Sequence, residues 1–174
     1  ISTDVAEADP GQPYPFYLAS PLEKEPCELG DRSEWMAEWK WDGIRAQLIK
    51  RQGTVMIWSR GEELITDRFP ELTESIAELP DNLVMDGEIM GWKENRPLPF
   101  LDLQRRINRK KVGKKLLQDV PVIFMAYDIM EVAGKDTRSV PQDKRRTELE
   151  HLFADLSGDS LLRLSPLVEE PSWE

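Results

Sequence analysis

Residues 38–45, Glu38-Trp39-Lys40-Trp41-Asp42-Gly43-Ile44-Arg45, alternate charged and aromatic side chains and then stop at a turn. In extended backbone, successive side chains point to opposite faces. Glu38, Lys40 and Asp42 therefore share one face, and Trp39 and Trp41 the other. The indole face is apolar enough to pack against a core, and Asp42-Gly43 supplies a sharp bend. Arg45 opens a second alternating run, with Ile44, Ala46 and Leu48 set against Arg45, Gln47 and Lys50. Taken alone, the pattern is an amphipathic hairpin with salt-bridging charges on its wet side. Its sharper reading is a lysine nucleophile held in a phosphate- and metal-binding pocket.

Working outward, strands dominate. Ile44 to Arg51 and Thr54 to Ser59 form a hairpin around Gln52-Gly53. Asn82 to Trp92 is a further strand, on which Val84, Asp86 and Glu88 face away from Leu83, Met85 and Gly87. Val120 to Met130 is the most apolar run and reads as a central strand. Three helices are predicted: Pro70 to Leu79, Phe100 to Leu117 with a break at Gly113, and Pro141 to Leu156. The expected fold is α+β, antiparallel sheets flanked by helices. Upstream, Tyr14-Pro15-Phe16-Tyr17-Leu18-Ala19 is an apolar patch dense enough in aromatics to pack into the core, and residues 1–12 read as a linker or frayed terminus.

A chain of 174 residues, 40% hydrophobic and 32% charged, has enough apolar material for one domain, placed at 13–174. It begins at Ile1 and ends at Trp173-Glu174, which reads as an excised piece of a longer protein. The single Cys27 excludes an internal disulfide and fits a reducing compartment. No apolar run approaches membrane-spanning length, and no signal pattern opens the chain, so no membrane partner and a cytoplasmic location are expected. The net charge of −10 is unevenly spread. Residues 101–115 hold seven of the 23 basic residues and one acid, a window of +6 on a body of −16. That run, with Arg105, Arg106, Arg109 and Lys110, is either a solvated helix face or a local contact to a nucleic-acid phosphate backbone; the acidity of the rest favours the contact.

Three short motifs follow the lysine stretch in order: Ser59-Arg60-Gly61-Glu62, Met85-Asp86-Gly87-Glu88-Ile89 and Ala126-Tyr127-Asp128-Ile129. From Pro15 to the end, the series resembles the covalent nucleotidyltransferases, and most closely the ATP-dependent DNA ligases of the bacterial type. The resemblance implies a partial adenylation domain, ATP-grasp-like, with the nucleotide between two sheets. It implies ATP and Mg2+ as cofactors and nicked double-stranded DNA as partner, for a monomer associated with the nucleoid.

By that resemblance Lys40 attacks the α-phosphate of ATP to form lysyl-AMP, and Glu38 accepts a hydrogen bond from the adenine amino group. Asp42 and Gly43 fix the lysine loop. Tyr127 stacks on the purine, and Glu88 holds a ribose hydroxyl or a metal ion. The residues themselves add that the forked guanidinium groups of Arg45 and Arg60 suit phosphate or ribose oxygens. Asp86 and Glu88, on one face across Gly87, form a carboxylate pair fit for magnesium, and Gly87 lets a ligand approach the backbone. One conflict stands: attack needs a neutral amine, whereas Glu38 and Asp42 as neighbours favour the ammonium.

The resemblance also implies a Glu-Gly motif and a later lysine-bearing motif, and neither occurs before Glu174. The stretch alone is therefore expected not to seal nicks. An RNA ligase, a GTP-using capping enzyme, or a non-catalytic DNA-binding module on the same fold are the alternatives. The single His151 has no partner for a zinc site and is given no role.

Overall fold

The computed structural model describes residues 11–109 and 111–173, so the expectation for the first ten residues lies outside it. Strands β1 (Ile44–Arg51) and β2 (Thr54–Ser59) form the predicted hairpin. Gln52 and Gly53 both take positive φ, 52° and 72°, the geometry whose twist matches a two-residue hairpin loop. Helix α1 (Pro70–Ala77) follows, then β3 (Leu83–Lys93), a short β4 (Arg96–Pro97), and helices α2 (Phe100–Ile107) and α3 (Lys114–Asp119). The long strand β5 (Val122–Val132), a two-residue β6 (Lys135–Asp136), helix α4 (Gln142–Ala154) and β7 (Leu162–Leu164) complete the order.

All strands join one seven-stranded sheet in the order β2-β1-β3-β5-β6, with β4 beside β3 and β7 beside β5. The expected α+β fold of antiparallel strands flanked by helices is present; the resemblance implies two sheets, and the described strands join in one. Pairing is antiparallel except for β7, which runs parallel to β5 after the crossover through α4. The single helix expected over 100–117 is two. The first ends at Ile107, and Gly113, in extended backbone, starts the second.

Alternation splits the sheet into two faces. Ala46, Leu48, Ile57, Met85, Ile89 and Phe124 point into the main core, which Phe69, Leu72 and Ile76 around α1, Leu103 of α2 and Leu149 of α4 close from one side. At about 25 cal/mol per Å2 of apolar surface, this layer is the main source of stability. The opposite face is mixed. It carries small clusters around Ile49, Val84 and Met130 and around Met90, Ile123 and Met125, with polar side chains between them. Lys50 belongs to the helix side, against its expected grouping with Arg45 and Gln47. Its ammonium donates to the Ala77 and Leu79 carbonyls at the end of α1, where the helix dipole favours a cation.

Gly87 also differs in cause from its reading. A Cβ there would lie 2.4 Å from the Phe124 ring and 2.5 Å from the Met125 carbonyl oxygen, so the close approach is made by β5 and not by a ligand.

Candidate functional site

The stretch before β1 is not a regular strand. Glu38 makes one isolated bridge to Leu167, and residues 39–42 have no regular pairing. Trp41 packs beside Met90 and Met125, and its indole N–H donates to the Ser165 hydroxyl at 3.0 Å. Trp39 is 64% exposed, against the expectation that both indoles face a core. A shared face needs continuous strand geometry, and the loop does not supply it.

Gly43 closes the loop against β3. Its N–H donates to the Glu88 carboxylate at 3.1 Å, and a Cβ on it would lie 2.3 Å from the Ile89 carbonyl oxygen. The residue is glycine because the backbone passes too close for a side chain.

The loop, β1, β3 and β5 enclose a cavity of about 770 Å3. Its lining includes Glu38, Lys40, Asp42, Gly43, Arg45, Arg60, Glu88 and Tyr127, and also Tyr17, Leu18 and Ala19 of the upstream aromatic patch. The volume is that of a small-molecule pocket. Lys40 is exposed there and, among the described residues, forms no salt bridge. The Glu38 carboxylate is held at 3.1 Å by Arg146 of α4. Burial pushes the Glu38 carboxyl above its ordinary range, and Arg146 pulls it back.

Asp86 does not share the cavity with Glu88. It is 1% exposed, and Arg45 takes both its oxygens, at 3.2 and 2.9 Å. The proposed carboxylate pair is thus one carboxylate on the cavity, Glu88, held only by the Gly43 N–H among the described hydrogen bonds, and one tied to an arginine. Burial drives the Glu88 carboxyl up to about 7, while the Gly43 N–H and the Arg45 charge pull the other way. Arg45 also donates to the Tyr17 carbonyl and lies over the Phe16 ring. Its fork is therefore engaged within the protein. Arg60, exposed on the cavity wall, has no salt-bridge partner among the described residues.

Tyr127 owes its aim to a bulge. Gly87 pairs with Ala126 and Asp86 with Asp128, leaving Tyr127 as the extra residue of β5. Its hydroxyl lies 3.4 Å from Asp86 Oδ1, and burial pushes that hydroxyl's pKa up. The sequence holds a trace of the bulge. The inward positions Val122, Phe124 and Ala126 break phase and resume at Ile129.

The candidates for DNA contact separate. Arg105 and Arg109 line a concavity between α2 and α3 together with Lys115. Arg106 does not join them. It is fully buried, paired with Glu71 at 2.5 Å, and donates to the Arg68 and Val120 carbonyls. A face that looks cationic in sequence turns one arginine inward because position 106 stands three after the buried Leu103. Lys110 lies outside the described residues.

Sequence reading missed several cavity residues. Ile65, Phe69, Phe100 and Ile107 form its apolar side, and Glu63 and Arg68 pair at 2.5 Å on its rim. It also missed Arg145 and Arg146. The available signal was Arg146 standing three before the core residue Leu149, where a charge needs a buried partner.

A pocket of this size, opened by a lysine loop and lined by arginines, a carboxylate and an aromatic ring, has the size and chemistry to suit a small phosphorylated ligand. The profile of the ATP dependent DNA ligase domain matches residues 17–165, and the chain belongs to that family. A "Probable DNA ligase" of Koribacter versatilis is 33% identical over 82% of this chain and 25% of its own length. One of Opitutus terrae is 39% identical over 72% of this chain and 12% of its own length. The chain thus spans a quarter or less of these two relatives. A solved mycobacterial DNA ligase D complexed with ATP and MES superposes with a TM-score of 0.62 at 26% identity, over 81% of this chain and 42% of that one.

Proposed function

We propose that residues 13–174 are part of the adenylation domain of an ATP-dependent DNA ligase, with Lys40 as the nucleophile. The observation that carries this is the position of Lys40: among the described residues it stands without a salt bridge, on a cavity whose lining includes Glu38, Arg60, Glu88 and Tyr127. Family membership and the ATP bound by the mycobacterial relative support the choice of ligand.

In the proposed step, Lys40 Nζ bonds to the α-phosphorus of ATP and the bond to the bridging oxygen breaks. Pyrophosphate leaves, and the amine proton passes to solvent. Little covalent chemistry is asked of the protein, so positioning and charge neutralisation decide the rate. Arg60 is the cation open to phosphate oxygens. Arg45, neutralised by Asp86, shapes the wall beside the lysine loop. Tyr127 offers its ring to the purine, and Glu38 an acceptor to the adenine amino group.

For magnesium, no three His, Cys, Asp or Glu side chains converge as a cage among the described residues. That does not exclude the ion, which commonly rests on one or two carboxylates and the substrate's phosphates. Glu88 fits that use; Asp86, clasped by Arg45, does not. Bound at Glu88, the ion would neutralise charge on the departing phosphates.

For the whole protein, the reading continues with transfer of AMP to the 5′-phosphate of nicked DNA and attack by the 3′-hydroxyl, AMP leaving. Arg105 and Arg109 are the proposed backbone contacts. The soluble monomer at the nucleoid expected from the sequence belongs to the same proposal.

The test is intact mass after incubation with ATP and magnesium, on the longest natural polypeptide carrying these residues. We expect one AMP added to the wild type and none to Lys40→Ala. A wild type that gains nothing would sink the assignment, and a Lys40→Ala that still gains AMP would move the nucleophile elsewhere.

A further inference from the structure

The lysine loop is held from behind by a connected set of buried groups. Ser165, fully buried, is the hub. Its N–H donates to the Ala126 carbonyl, one residue before Tyr127, at 2.8 Å. Its carbonyl accepts from Arg146 Nη1 at 2.8 Å, and its hydroxyl accepts from the Trp41 indole at 3.0 Å. The same Arg146 nitrogen donates to Glu38 Oε1 at 3.1 Å, and its Nε donates to Glu150 at 2.7 Å. Val168 N–H closes onto the Ala37 carbonyl at 2.8 Å. Beside it on α4, the preceding residue Arg145 takes both oxygens of Asp128, the residue after Tyr127, at 2.8 and 2.9 Å. The tandem arginines thus fasten both ends of the cavity, the segment before Lys40 and the bulge at Tyr127, without lining it themselves.

We propose that Arg146 is a positioning residue for base selection: by fixing one oxygen of Glu38 against the Ser165 backbone, it aims the other at the 6-amino group of adenine. The inference rests on the nucleotide reading above and goes beyond it, because it places the determinant of selectivity outside the cavity. A carboxylate free to rotate accepts from water as readily as from a base, so aim is what turns an acidic wall into a discriminating one. A guanidinium suits this task. Its planar donors reach two acceptors at once, and its side-chain exposure of 9% keeps water from competing.

The measurement is competition binding of ATP and of inosine triphosphate, which carries a 6-oxo group in place of the 6-amino group. The wild type, Arg146→Met and Arg146→Lys are compared in the longest natural polypeptide. The wild type is expected to prefer ATP. In Arg146→Met, ATP binding should weaken about tenfold while inosine triphosphate stays within about twofold, the loss of roughly one aimed hydrogen bond. Arg146→Lys, with the charge but not the fork, should fall between. An arginine that only supports the fold predicts equal weakening of both nucleotides, and that result, or no change in ATP binding, overturns the proposal. A wild type that binds ATP without preference over inosine triphosphate overturns it too, while leaving Lys40 untouched. A wild type that binds neither removes the nucleotide reading itself.

Discussion

Arg45 and Asp86 form a bidentate pair across β1 and β3, Nε to Oδ1 at 3.2 Å and Nη2 to Oδ2 at 2.9 Å, with the carboxylate all but sealed from water. Removing one partner of such a pair leaves the other as an uncompensated charge. Asp86→Ala should therefore cost about 3 kcal/mol in urea unfolding, and Arg45→Ala a comparable amount. Because both Asp86 oxygens are engaged, Asp86→Asn should leave the magnesium concentration for half-maximal AMP transfer to Lys40 where it was. A shifted requirement would return Asp86 to the metal site.

Arg106 and Arg109 sit three apart in one basic run and should behave oppositely. Arg106→Met removes a fully buried guanidinium from Glu71 and two carbonyls, and should destabilise by about 3 kcal/mol. Arg105→Ala with Arg109→Ala should leave the unfolding free energy within about 0.5 kcal/mol, since both are exposed. If the concavity between α2 and α3 follows a DNA backbone, the double variant should also flatten the salt dependence of nicked-duplex binding, by up to about 0.9 for each phosphate no longer neutralised. An unchanged slope would make the run a solvated face.

Glu88 gives a pH signature. Its carboxyl rises from an ordinary 4.5 to about 7, chiefly through burial. The native state thus prefers the protonated form: the associated stability is full below about pH 4.5 and is lost as pH rises through 7. Glu88→Gln keeps an acceptor for the Gly43 N–H and drops the charge. It should be more stable than wild type at pH 8, by on the order of 1–2 kcal/mol once partial exposure is discounted, and the gap should close below pH 5. Thermal melts at both pH values check it; a gap independent of pH would assign the effect elsewhere.

Much of this was readable from the chain. The hairpin, the helix behind Pro70, the central strand and the motif order follow from period-two and period-3.6 patterns, which are local. So was the gathering of Lys40, Arg60, Glu88 and Tyr127, though only because their order resembles a family. What the chain hid is pairing at a distance. Glu38 looks like a neighbour of Lys40 but belongs to Arg146, 108 residues away. Asp86 looks like a partner of Glu88 but belongs to Arg45. Arg106 looks like its cationic neighbours but fills a core. In each case charge patterning shows that a side chain must be compensated, and only the tertiary register shows by what.

The last prediction separates loop from core through two glycines. At Gly87, an added Cβ would meet the Phe124 ring and the Met125 carbonyl oxygen inside the sheet. Strands packed on both faces have little room to yield, so Gly87→Ala should cost about 2–3 kcal/mol, as overpacking does. At Gly43 the obstacle is the Ile89 carbonyl oxygen at 2.3 Å, with Glu88 Cγ and Met90 Cγ at 3.0 Å. Here one side of the contact is a loop of irregular backbone three residues from Lys40, and it can move. Gly43→Ala should therefore relieve its clash by displacing the lysine, with a stability loss of only about 1 kcal/mol. A misplacement of about 1 Å can cost a hundredfold in rate, so the first-order rate of AMP addition should fall by about that factor. Gly53→Ala, strained at φ +72° on the far hairpin turn, is the control: it should lower the melting temperature and leave the rate unchanged. Equal rates for Gly43→Ala and Gly53→Ala would mean that the Gly43 contact does not set the position of Lys40.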